Sequence, residues 1–329
     1  MKIMVYEARP DERADLEKQA ALHGVELSVT DAGPTLENAS LAAGCIGVSI
    51  LGQACIDAAL LDASHALGIR YLSTRTIGYD HIDLDHARSI GLRVCSASYA
   101  PNGVADFTVM MILMCLRHYK QALWRGQVND FSLTGLQGRE MKDLTIGIIG
   151  TGRIGAQVAR NLSGFGCRIL AYDLRRNPAV EPQVTYVDFD TLLAQSDVIT
   201  LHMPLLDSNR HIINRESIAK MRDGVVIVNC SRGELADIEA LIEGIETGKI
   251  GALGMDTVDE GIIHADHRVD ILPNRNWFYL HQFRNVIMTQ HMAFYTDAAV
   301  SSMVDCGIGG ICQMAAGESC PTELTGPVQ

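Results

Sequence analysis

Residues 144–155 read LTIGIIGTGRIG, and this stretch decides the fold that the sequence predicts. Residues 145–149 form a short apolar run that favours a strand, and a glycine-rich turn follows it directly. Ile154, Val158 and Leu162 then recur at a spacing of four, which is the periodicity of a helix. A G-x-G-x-x-G sequence is a weak signal alone, but between a strand and a helix it is typical of a dinucleotide-binding βαβ unit.

The glycines of this stretch have separate physical roles. Gly150 and Gly152 allow the backbone to turn tightly and to approach a pyrophosphate, and Gly155 allows close packing of helix and strand. The N-terminus of the helix favours the anion. The next predicted strand, residues 168–172, is followed by Asp173, whose carboxylate is expected to bind the ribose hydroxyls and to repel a 2′-phosphate. The pattern therefore predicts NAD as the cofactor.

Short apolar runs alternate with helix-period segments, which predicts an α/β protein with parallel sheets. Proline and glycine at 98–103 divide the pattern into two units, and a long apolar helix is predicted from about 104 to 122. From about Asp297 the chain is helical again, and we expect this segment to pack on the first unit. The strands are predicted at 3–6, 25–29, 46–51, 71–74 and 92–95, then at 145–149, 168–172, 198–201, 225–229, 252–255 and 286–289.

Composition excludes several classes of protein. The formal net charge of −12 over 329 residues disfavours a nucleic acid or an anionic bilayer as partner. Glu7 and Arg9 interrupt the N-terminal apolar run, and the apolar run at 107–116 has only half the length of a membrane span. Nine scattered cysteines without a C-x-x-C pair indicate a reducing, cytoplasmic setting and predict no metal site.

Chemically useful side chains follow the predicted strands of the second unit, and parallel strands collect ligands at their carboxyl ends. Arg232 follows 225–229, Glu260 follows the strand that ends at 255, and His291 follows 286–289. Arginine binds a carboxylate with two parallel bonds, a protonated histidine gives a proton to a carbonyl oxygen, and a carboxylate raises the histidine pKa. Each residue alone also fits a surface charge or a core histidine. Their joint placement favours reduction of a 2-keto acid, with the hydride supplied by the cofactor.

At these residues the chain resembles the D-isomer-specific 2-hydroxyacid dehydrogenase family, and within it the D-lactate dehydrogenase-like branch. The resemblance covers nearly the whole chain. The segments that carry it are RTIGYDHID at 75–83, YAPN at 99–102, GTGRIG at 150–155, LHMPL at 201–205, NCSRG at 229–233, GMD at 254–256 and HMAFYT at 291–296. Each segment is a moderate signal, and their common order makes the resemblance strong.

The resemblance implies two doubly wound domains and a homodimer. A flavodoxin-like substrate domain would comprise 1–99 with 297–329, and a Rossmann NAD-binding domain would comprise 100–296. The implied catalytic residues are Arg232, Glu260 and His291. The implied substrate-binding residues are Ile77, Gly78, Tyr99, Arg232 and Tyr295. The implied cofactor-binding residues, besides Gly150, Gly152, Gly155 and Asp173, are Arg153, Ile154, Met203, Pro204, Asn209, Cys230, Ser231 and Asp256, the last of them beside the nicotinamide carboxamide.

Several alternatives stay open at this point. Pyruvate is the first predicted substrate and D-lactate its product, with phenylpyruvate or 2-ketoisocaproate as bulkier alternatives. Arg175 and Arg176 lie close to Asp173, and either one facing a 2′-phosphate would weaken the preference for NAD over NADP. The loop after Asp256 is two residues shorter than the family pattern, so Asp259 competes with Glu260 as the partner of His291, and Gln290 replaces the usual proline. A nucleotide-sensing corepressor on the same fold is the alternative to an enzyme.

Overall fold

A computed structural model describes residues 1–257 and 275–326 of the chain. They form two compact units: unit 1 is Met1–Ala100 with the segment from Tyr295 onward, and unit 2 is Pro101–Phe294. The strands are β1 (Lys2–Val5), β2 (Glu26–Val29), β3 (Gly47–Ile50), β4 (Tyr71–Thr74), β5 (Arg93–Cys95), β6 (Thr145–Ile149), β7 (Arg168–Tyr172), β8 (Thr185–Tyr186), β9 (Val198–Leu201), β10 (Val225–Asn229), β11 (Ile250–Met255) and β12 (Val286–Met288). The helices are α1 (Arg13–His23), α2 (Ala58–Ala66), α3 (Leu84–Ser89), α4 (Asn102–Leu116), α5 (Tyr119–Gln127), α6 (Arg153–Ser163), α7 (Phe189–Gln195), α8 (Arg215–Lys220), α9 (Ile238–Glu246), α10 (Arg275–Gln282) and α11 (Asp297–Ala315).

Each unit is built on a parallel sheet with helices against it, which confirms the predicted α/β class. The sheet of unit 1 has the order β2-β1-β3-β4-β5, the flavodoxin-like arrangement. The sheet of unit 2 has the order β12-β11-β10-β9-β6-β7-β8, in which β6 and β9 meet at the point where the strand order reverses. A ligand of a doubly wound sheet binds at the carboxyl ends of the strands beside such a point.

The single apolar helix predicted from about 104 to 122 is wrong, because the structure has two helices there. The α4 helix ends at Leu116 and α5 begins at Tyr119. Between them His118 adopts a left-handed backbone with φ of 51°. Both helices carry apolar residues at helical spacing, so the periodicity runs across the break. No glycine or proline marks the turn in the sequence, and it was therefore missed.

The α11 helix is a core element of unit 1, as the sequence predicted. Its buried side chains, including Val304, Ile308 and Ile311, pack with Ile3 and Val5 of β1. By length and composition α11 is the one helix among the described residues that is apolar enough to cross a membrane, and its packing is that of a core helix.

The chain after α11 returns to the edge of the sheet of unit 1. Glu323 forms an antiparallel bridge with Cys95, the last residue of β5. The backbone N–H of Ser96 donates to the carbonyl of Thr322 at 3.0 Å, and that of Leu324 donates to Val94 at 2.8 Å. Residues 320–325, called here the C-terminal segment, therefore extend the sheet beyond β5.

Candidate active site

The glycine-rich turn after β6 has the geometry that a dinucleotide requires. Gly150 has φ of 93°, and a Cβ there would lie 2.5 Å from the carbonyl oxygen of His202, so only glycine fits. A Cβ on Gly155 would collide with the carbonyl oxygen of Gly150. Gly152 differs, because a Cβ there would meet nothing within 4 Å, and no side chain caps the start of α6. The turn thus leaves open space in front of a helix N-terminus, which suits a pyrophosphate.

Asp173 lies at the end of β7, as predicted, and it also holds the glycine-rich turn in place. One carboxylate oxygen accepts bonds from the backbone N–H of Thr151 at 2.6 Å and from its hydroxyl at 3.1 Å. The other accepts the N–H of Arg175 at 2.9 Å. A carboxylate has about four acceptor positions, so these three bonds leave room for one more on Asp173. The carboxylate therefore both positions the turn and keeps an acceptor for a ribose hydroxyl.

Two residues that the sequence did not single out complete this support. Asn177 donates from its side-chain amide to the carbonyl of Thr151 at 2.8 Å. The Tyr186 hydroxyl donates to the Thr151 hydroxyl at 2.8 Å, and the Arg176 guanidinium lies 5.5 Å from the centre of the Tyr186 ring. Asn177 and Tyr186 are separated from the glycine motif by more than twenty residues, so no local pattern indicated them.

The loops after β9 and β10 are tied to each other. The Ser231 hydroxyl donates to the carbonyl of Met203 at 2.6 Å. Asn209 donates to the carbonyl of Pro204 at 2.9 Å and to the Met203 sulfur at 3.3 Å, so its side chain fixes the loop that contains those two predicted contacts. Asn209 and Met203 are half-buried and Pro204 is exposed. Their predicted contact with the cofactor stays a prediction.

Arg232 is presented by a turn that Asn229 closes. Asn229, buried at the end of β10, accepts the N–H of Ser231 at 3.0 Å and donates to the carbonyl of Arg232 at 2.7 Å. Arg232 is half-buried and donates to the carbonyl of Ser231 at 3.0 Å. A buried asparagine at the end of an otherwise apolar strand was the signal in the sequence for this supporting role.

Cys230 is a buried thiol rather than a reactive one. Burial raises its pKa to about 12, and the nearby charge of Asp256 acts in the same direction. The thiolate is the nucleophilic form of cysteine, so Cys230 has no nucleophilic character at neutral pH. Its predicted role is therefore one of shape beside the cofactor.

Asp256 holds the loop that carries His291. Its carboxylate is fully buried and accepts bonds from the Thr289 hydroxyl at 2.6 Å and from the N–H groups of Met292 and Ala293 at 2.9 and 2.8 Å. His291 lies between these anchored residues with a left-handed φ of 55°. A strained backbone of this kind persists only where its surroundings impose it. Asp256 thus positions His291, a role that the sequence did not predict.

Two charged residues of unit 2, Asp256 and Arg232, influence the pKa of His291. Burial by surrounding protein atoms is the largest influence and lowers its pKa; the charge of Asp256 raises it and that of Arg232 lowers it again. Part of the His291 surface is nevertheless exposed, so solvent limits the effect of burial. The structure thus brings Arg232, Asp256 and His291 together at the carboxyl edge of one sheet.

His202 lies at the same edge and is unsuited to donate a proton. Burial lowers its pKa to about 3, so it is neutral at neutral pH. Its Nε2 lies 3.0 Å from the Thr200 hydroxyl. Of the two histidines at this edge, His291 is the one whose proton donation stays a prediction.

The remaining predicted residues fall in unit 1, outside the described residues, or in the first turn of α6. Ile77, Gly78 and Tyr99 are half-buried in unit 1, where the Thr76 hydroxyl donates to the carbonyl of Gly78 at 2.6 Å. Tyr295, also in unit 1, is exposed, and the Arg9 guanidinium lies 5.1 Å from the centre of its ring. Glu260 and its competitor Asp259 lie outside the described residues. Arg153 is exposed and Ile154 half-buried in the first turn of α6.

The chain is similar in sequence to a known protein family and to named relatives. Residues 109–293 match the family model described as "D-isomer specific 2-hydroxyacid dehydrogenase, NAD binding domain". The chain belongs to this family. It is 42% identical over 93% of its length to the "Aromatic 2-oxoacid reductase" of Clostridium sporogenes, 93% of which is covered. It is 36% identical over 98% of its length to all of the "D-lactate dehydrogenase" of Escherichia coli.

A solved structure extends the comparison to the cofactor. The NAD complex of a D-isomer specific 2-hydroxyacid dehydrogenase from Lactobacillus delbrueckii is 30% identical, with a TM-score of 0.84 over 98% of this chain and 100% of that one. The predictions of family, of NAD as cofactor and of an NAD-dependent dehydrogenase are confirmed, and the corepressor alternative is not supported. The open space at Gly152, the uncapped start of α6 and the acceptor on Asp173 fit NAD.

Proposed function

We propose that the protein reduces a 2-keto acid to the D-2-hydroxy acid. The observation that carries the proposal is that Arg232 and His291 lie together at the carboxyl edge of the sheet that also carries the glycine-rich turn. When bound, NADH supplies the hydride. Arg232 binds the substrate carboxylate with two parallel N–H bonds, and protonated His291 donates its proton to the oxygen of the keto group. Glu260 is proposed to stabilise the protonated imidazole.

The names and identities of the relatives indicate which 2-keto acid to test first. Those named for an aromatic 2-oxoacid match at 42% identity, whereas the Escherichia coli D-lactate dehydrogenase matches at 36%. Phenylpyruvate is therefore the first substrate to test, ahead of pyruvate, the acid first predicted from the sequence. Ile77, Gly78, Tyr99 and Tyr295 are proposed to contact the acid.

A panel of acids tests the proposal directly. Phenylpyruvate, pyruvate and 2-ketoisocaproate are each mixed with the protein and NADH, and the loss of nicotinamide absorbance is followed. We expect turnover of at least one acid, and chiral chromatography of the product should give the D isomer. No turnover of any acid, or formation of the L isomer, would refute the proposed reaction.

We further propose a homodimer through unit 2. The surface formed by α5 and the residues after it exposes a row of apolar side chains, and two of them, Phe131 and Leu133, are 80% and 83% exposed. An open groove of 850 Å³ along α4, lined by Met110 and Tyr119, adds to this surface. An exposed apolar area of this kind is typical of a subunit interface. Light scattering should give twice the chain mass, and the double variant Phe131→Ser/Leu133→Ser should give the mass of one chain.

The cell compartment is proposed from cysteine chemistry. All nine cysteines are free thiols, and four of them are half-buried or exposed. Free thiols persist in reducing compartments. We therefore propose a cytoplasmic location.

A further inference from the structure

Three cysteines of unit 1 lie close together, and none is assigned to the reaction. Cys95 ends β5, Cys306 belongs to α11, and Cys320 opens the C-terminal segment. Cys95 and Cys320 are buried and pack with Met314. The charge state of each cysteine influences the pKa of another, which places the three sulfurs in one cluster.

A glycine in α11 makes room for two of these sulfurs. A Cβ on Gly310 would lie 2.7 Å from the Cys95 sulfur and 3.5 Å from the Cys320 sulfur. Both sulfurs therefore pack against the same residue. Glycine inside a helix is less stable than alanine, so its presence at 310 calls for a packing reason, and the two sulfurs supply it.

The two thiols differ in acidity because they are bonded to each other. A hydrogen bond from Cys95 is the largest influence on Cys320 and lowers its pKa to about 6, with Thr322 acting in the same direction against burial. The same hydrogen bond, followed by burial, raises the pKa of Cys95. The two shifts run in opposite directions, so Cys320 is the more acidic thiol of the pair and Cys95 the one that keeps its proton more firmly. The thiolate is the form that attacks an oxidant.

The backbone around the pair is fixed on both sides. Arg93 and Glu323 form two parallel bonds of 2.7 and 2.8 Å across the two strands. The backbone bonds of Ser96 to Thr322 and of Leu324 to Val94 lie on either side of the bridge between Cys95 and Glu323. The chain segments that carry Cys95 and Cys320 are therefore held side by side.

We propose that Cys95 and Cys320 form a thiol–disulfide pair that hydrogen peroxide oxidises, so that the C-terminal segment becomes covalently fastened to β5. The Cys320 thiolate attacks one peroxide oxygen, the O–O bond breaks, and the hydroxide released takes up a proton to become water. Cys320 is then a sulfenic acid. The Cys95 sulfur loses its proton and attacks the Cys320 sulfur, the S–O bond breaks, and a second water leaves. The two sulfurs together lose two electrons, which the peroxide gains, and two equivalents of a small thiol reverse the reaction.

Cys95 rather than Cys306 is the second member of the pair. The Cys306 thiol is directed to the carbonyl oxygen of Ser98, with a sulfur–oxygen distance of 3.4 Å. The Cys95 sulfur instead packs with the Cys320 sulfur against the same residue, Gly310.

Mass spectrometry of the full chain tests the chemistry directly. The reduced protein is treated with a small excess of hydrogen peroxide, its remaining thiols are alkylated, and the peptides are identified. We expect a peptide pair joined through Cys95 and Cys320 that dithiothreitol separates again. Oxidation of Cys320 to a sulfinic acid with Cys95 still alkylated would overturn the proposal, and so would reaction of Cys95 and Cys320 no faster than the exposed Cys55.

Matched variants identify the resolving thiol. In Cys95→Ser the reaction should stop at the Cys320 sulfenic acid, which dimedone traps. In Cys306→Ser and in the control Cys55→Ser the Cys95–Cys320 peptide pair should form as in the unmodified protein. A disulfide that survives Cys95→Ser but disappears in Cys306→Ser would assign the role to Cys306 and overturn the proposal.

Hydrogen exchange measures the fastening itself and needs no variant. The amides of Ser96 and Leu324 should exchange about tenfold or more slowly after oxidation, because a cross-link opposes local opening. The amide of Asp83, bonded to Ile56 elsewhere in unit 1, serves as the control and should be unchanged. Equal exchange of Ser96 and Leu324 before and after oxidation would show that the disulfide does not fasten the segment.

Discussion

Each unit has a group of backbone amides in the turn after a parallel strand, and the two groups differ in how they can bind an anion. In unit 1 the turn after β3 directs the N–H groups of Leu51, Gly52 and Ala54 at the Glu7 carboxylate, at 2.6, 2.9 and 2.9 Å. In unit 2 the turn after β6 leads into α6, whose first turn has no capping side chain. One set of amides binds a carboxylate of its own chain, whereas no side chain caps the other set.

The comparison shows that the turn after a parallel strand provides backbone amides that can bind an anion. The side chains nearby decide whether that anion belongs to the protein or to a ligand. Glu7 is 5% exposed and has a left-handed φ of 55°, so the chain bends to bring its own acid into the turn. An arginine of unit 1 and an arginine of unit 2 differ in the same way. Arg75 is fully buried and bonded to Glu12, Ser49 and backbone carbonyls, whereas Arg232 keeps part of its surface exposed. Unit 1 uses these charges for stability, and we propose that unit 2 uses its charges for binding.

The largest expected effect comes from Glu7→Gln. A neutral amide cannot accept all three N–H bonds, so the free energy of unfolding should fall by about 2–4 kcal/mol. The affinity for NADH should not change. Urea denaturation and a fluorescence titration with NADH measure the two quantities.

Glu26→Gln is the matched control for Glu7→Gln. It removes an exposed carboxylate paired with Lys2, and exposed pairs contribute about 1 kcal/mol or less. Weaker NADH binding by Glu7→Gln at unchanged stability would contradict the division between the units.

The next largest effect distinguishes the binding role proposed for Arg232 from the stabilising role of Arg75. In Arg232→Lys a single ammonium replaces the planar fork, so kcat/KM for the keto acid should fall by about 1.5–3 kcal/mol, or roughly 10- to 100-fold. Unfolding should be unchanged. In Arg75→Lys stability should fall, because the buried acceptors of Tyr6, Glu7 and Ser49 lose donors. Full efficiency of Arg232→Lys would remove its proposed role as carboxylate ligand.

Gly152→Asp tests whether the amides of α6 bind an anion. A Cβ fits at this position, and aspartate is a favourable N-cap, so the stability should be kept or raised. A new negative charge beside the pyrophosphate should weaken NADH binding by about 1–2 kcal/mol, or roughly 5- to 30-fold. Gly152→Ser adds a neutral cap and isolates the effect of charge. If serine weakens binding as much as aspartate does, shape rather than charge controls the site.

Asp173→Ala should narrow the preference for NADH over NADPH. It removes both the ribose acceptor and the repulsion of a 2′-phosphate, so the ratio of the two kcat/KM values should fall about tenfold. Loss of the bond to Thr151 should lower the efficiency with both cofactors, and only the ratio isolates the ribose contact. An unmutated protein that uses both cofactors equally would instead show that Arg175 or Arg176 dominates.

The smallest effect concerns the carboxylate partner of His291. Reduction requires protonated His291, so activity is present below its pKa and is lost as the pH rises through that value. Burial already lowers this pKa. Glu260→Gln should lower it further and move the upper pH limit of kcat/KM down by about 1 pH unit, whereas Asp259→Asn should leave the limit unchanged. The reverse pattern would assign the partner role to Asp259.

The sequence predicted the strands well because a buried parallel strand is a continuous apolar run. Five of them, β4, β6, β7, β9 and β10, were predicted with the bounds that the structure shows. The two-residue strand β8 is too short to carry a pattern, and it was missed.

The site residues also differ in whether a local sequence pattern can locate them. Glycines, Asp173, Arg232 and His291 occupy strand ends, which a linear pattern can locate. Supporting contacts such as those of Asn177 and Tyr186 join segments that are distant in sequence, and only the fold reveals them.

The C-terminal segment also has a consequence for association between molecules. The outer edge of β5 would otherwise present unpaired N–H and C=O groups, and such an edge is a template for strand addition by another chain. The bonds of Ser96 and Val94 to Thr322, Leu324 and Thr325 of the segment occupy these groups. At the opposite edge, β2 carries the charged residue Glu26. The sheet of unit 1 is thereby protected at one edge by its own chain and discouraged from aggregation at the other by charge.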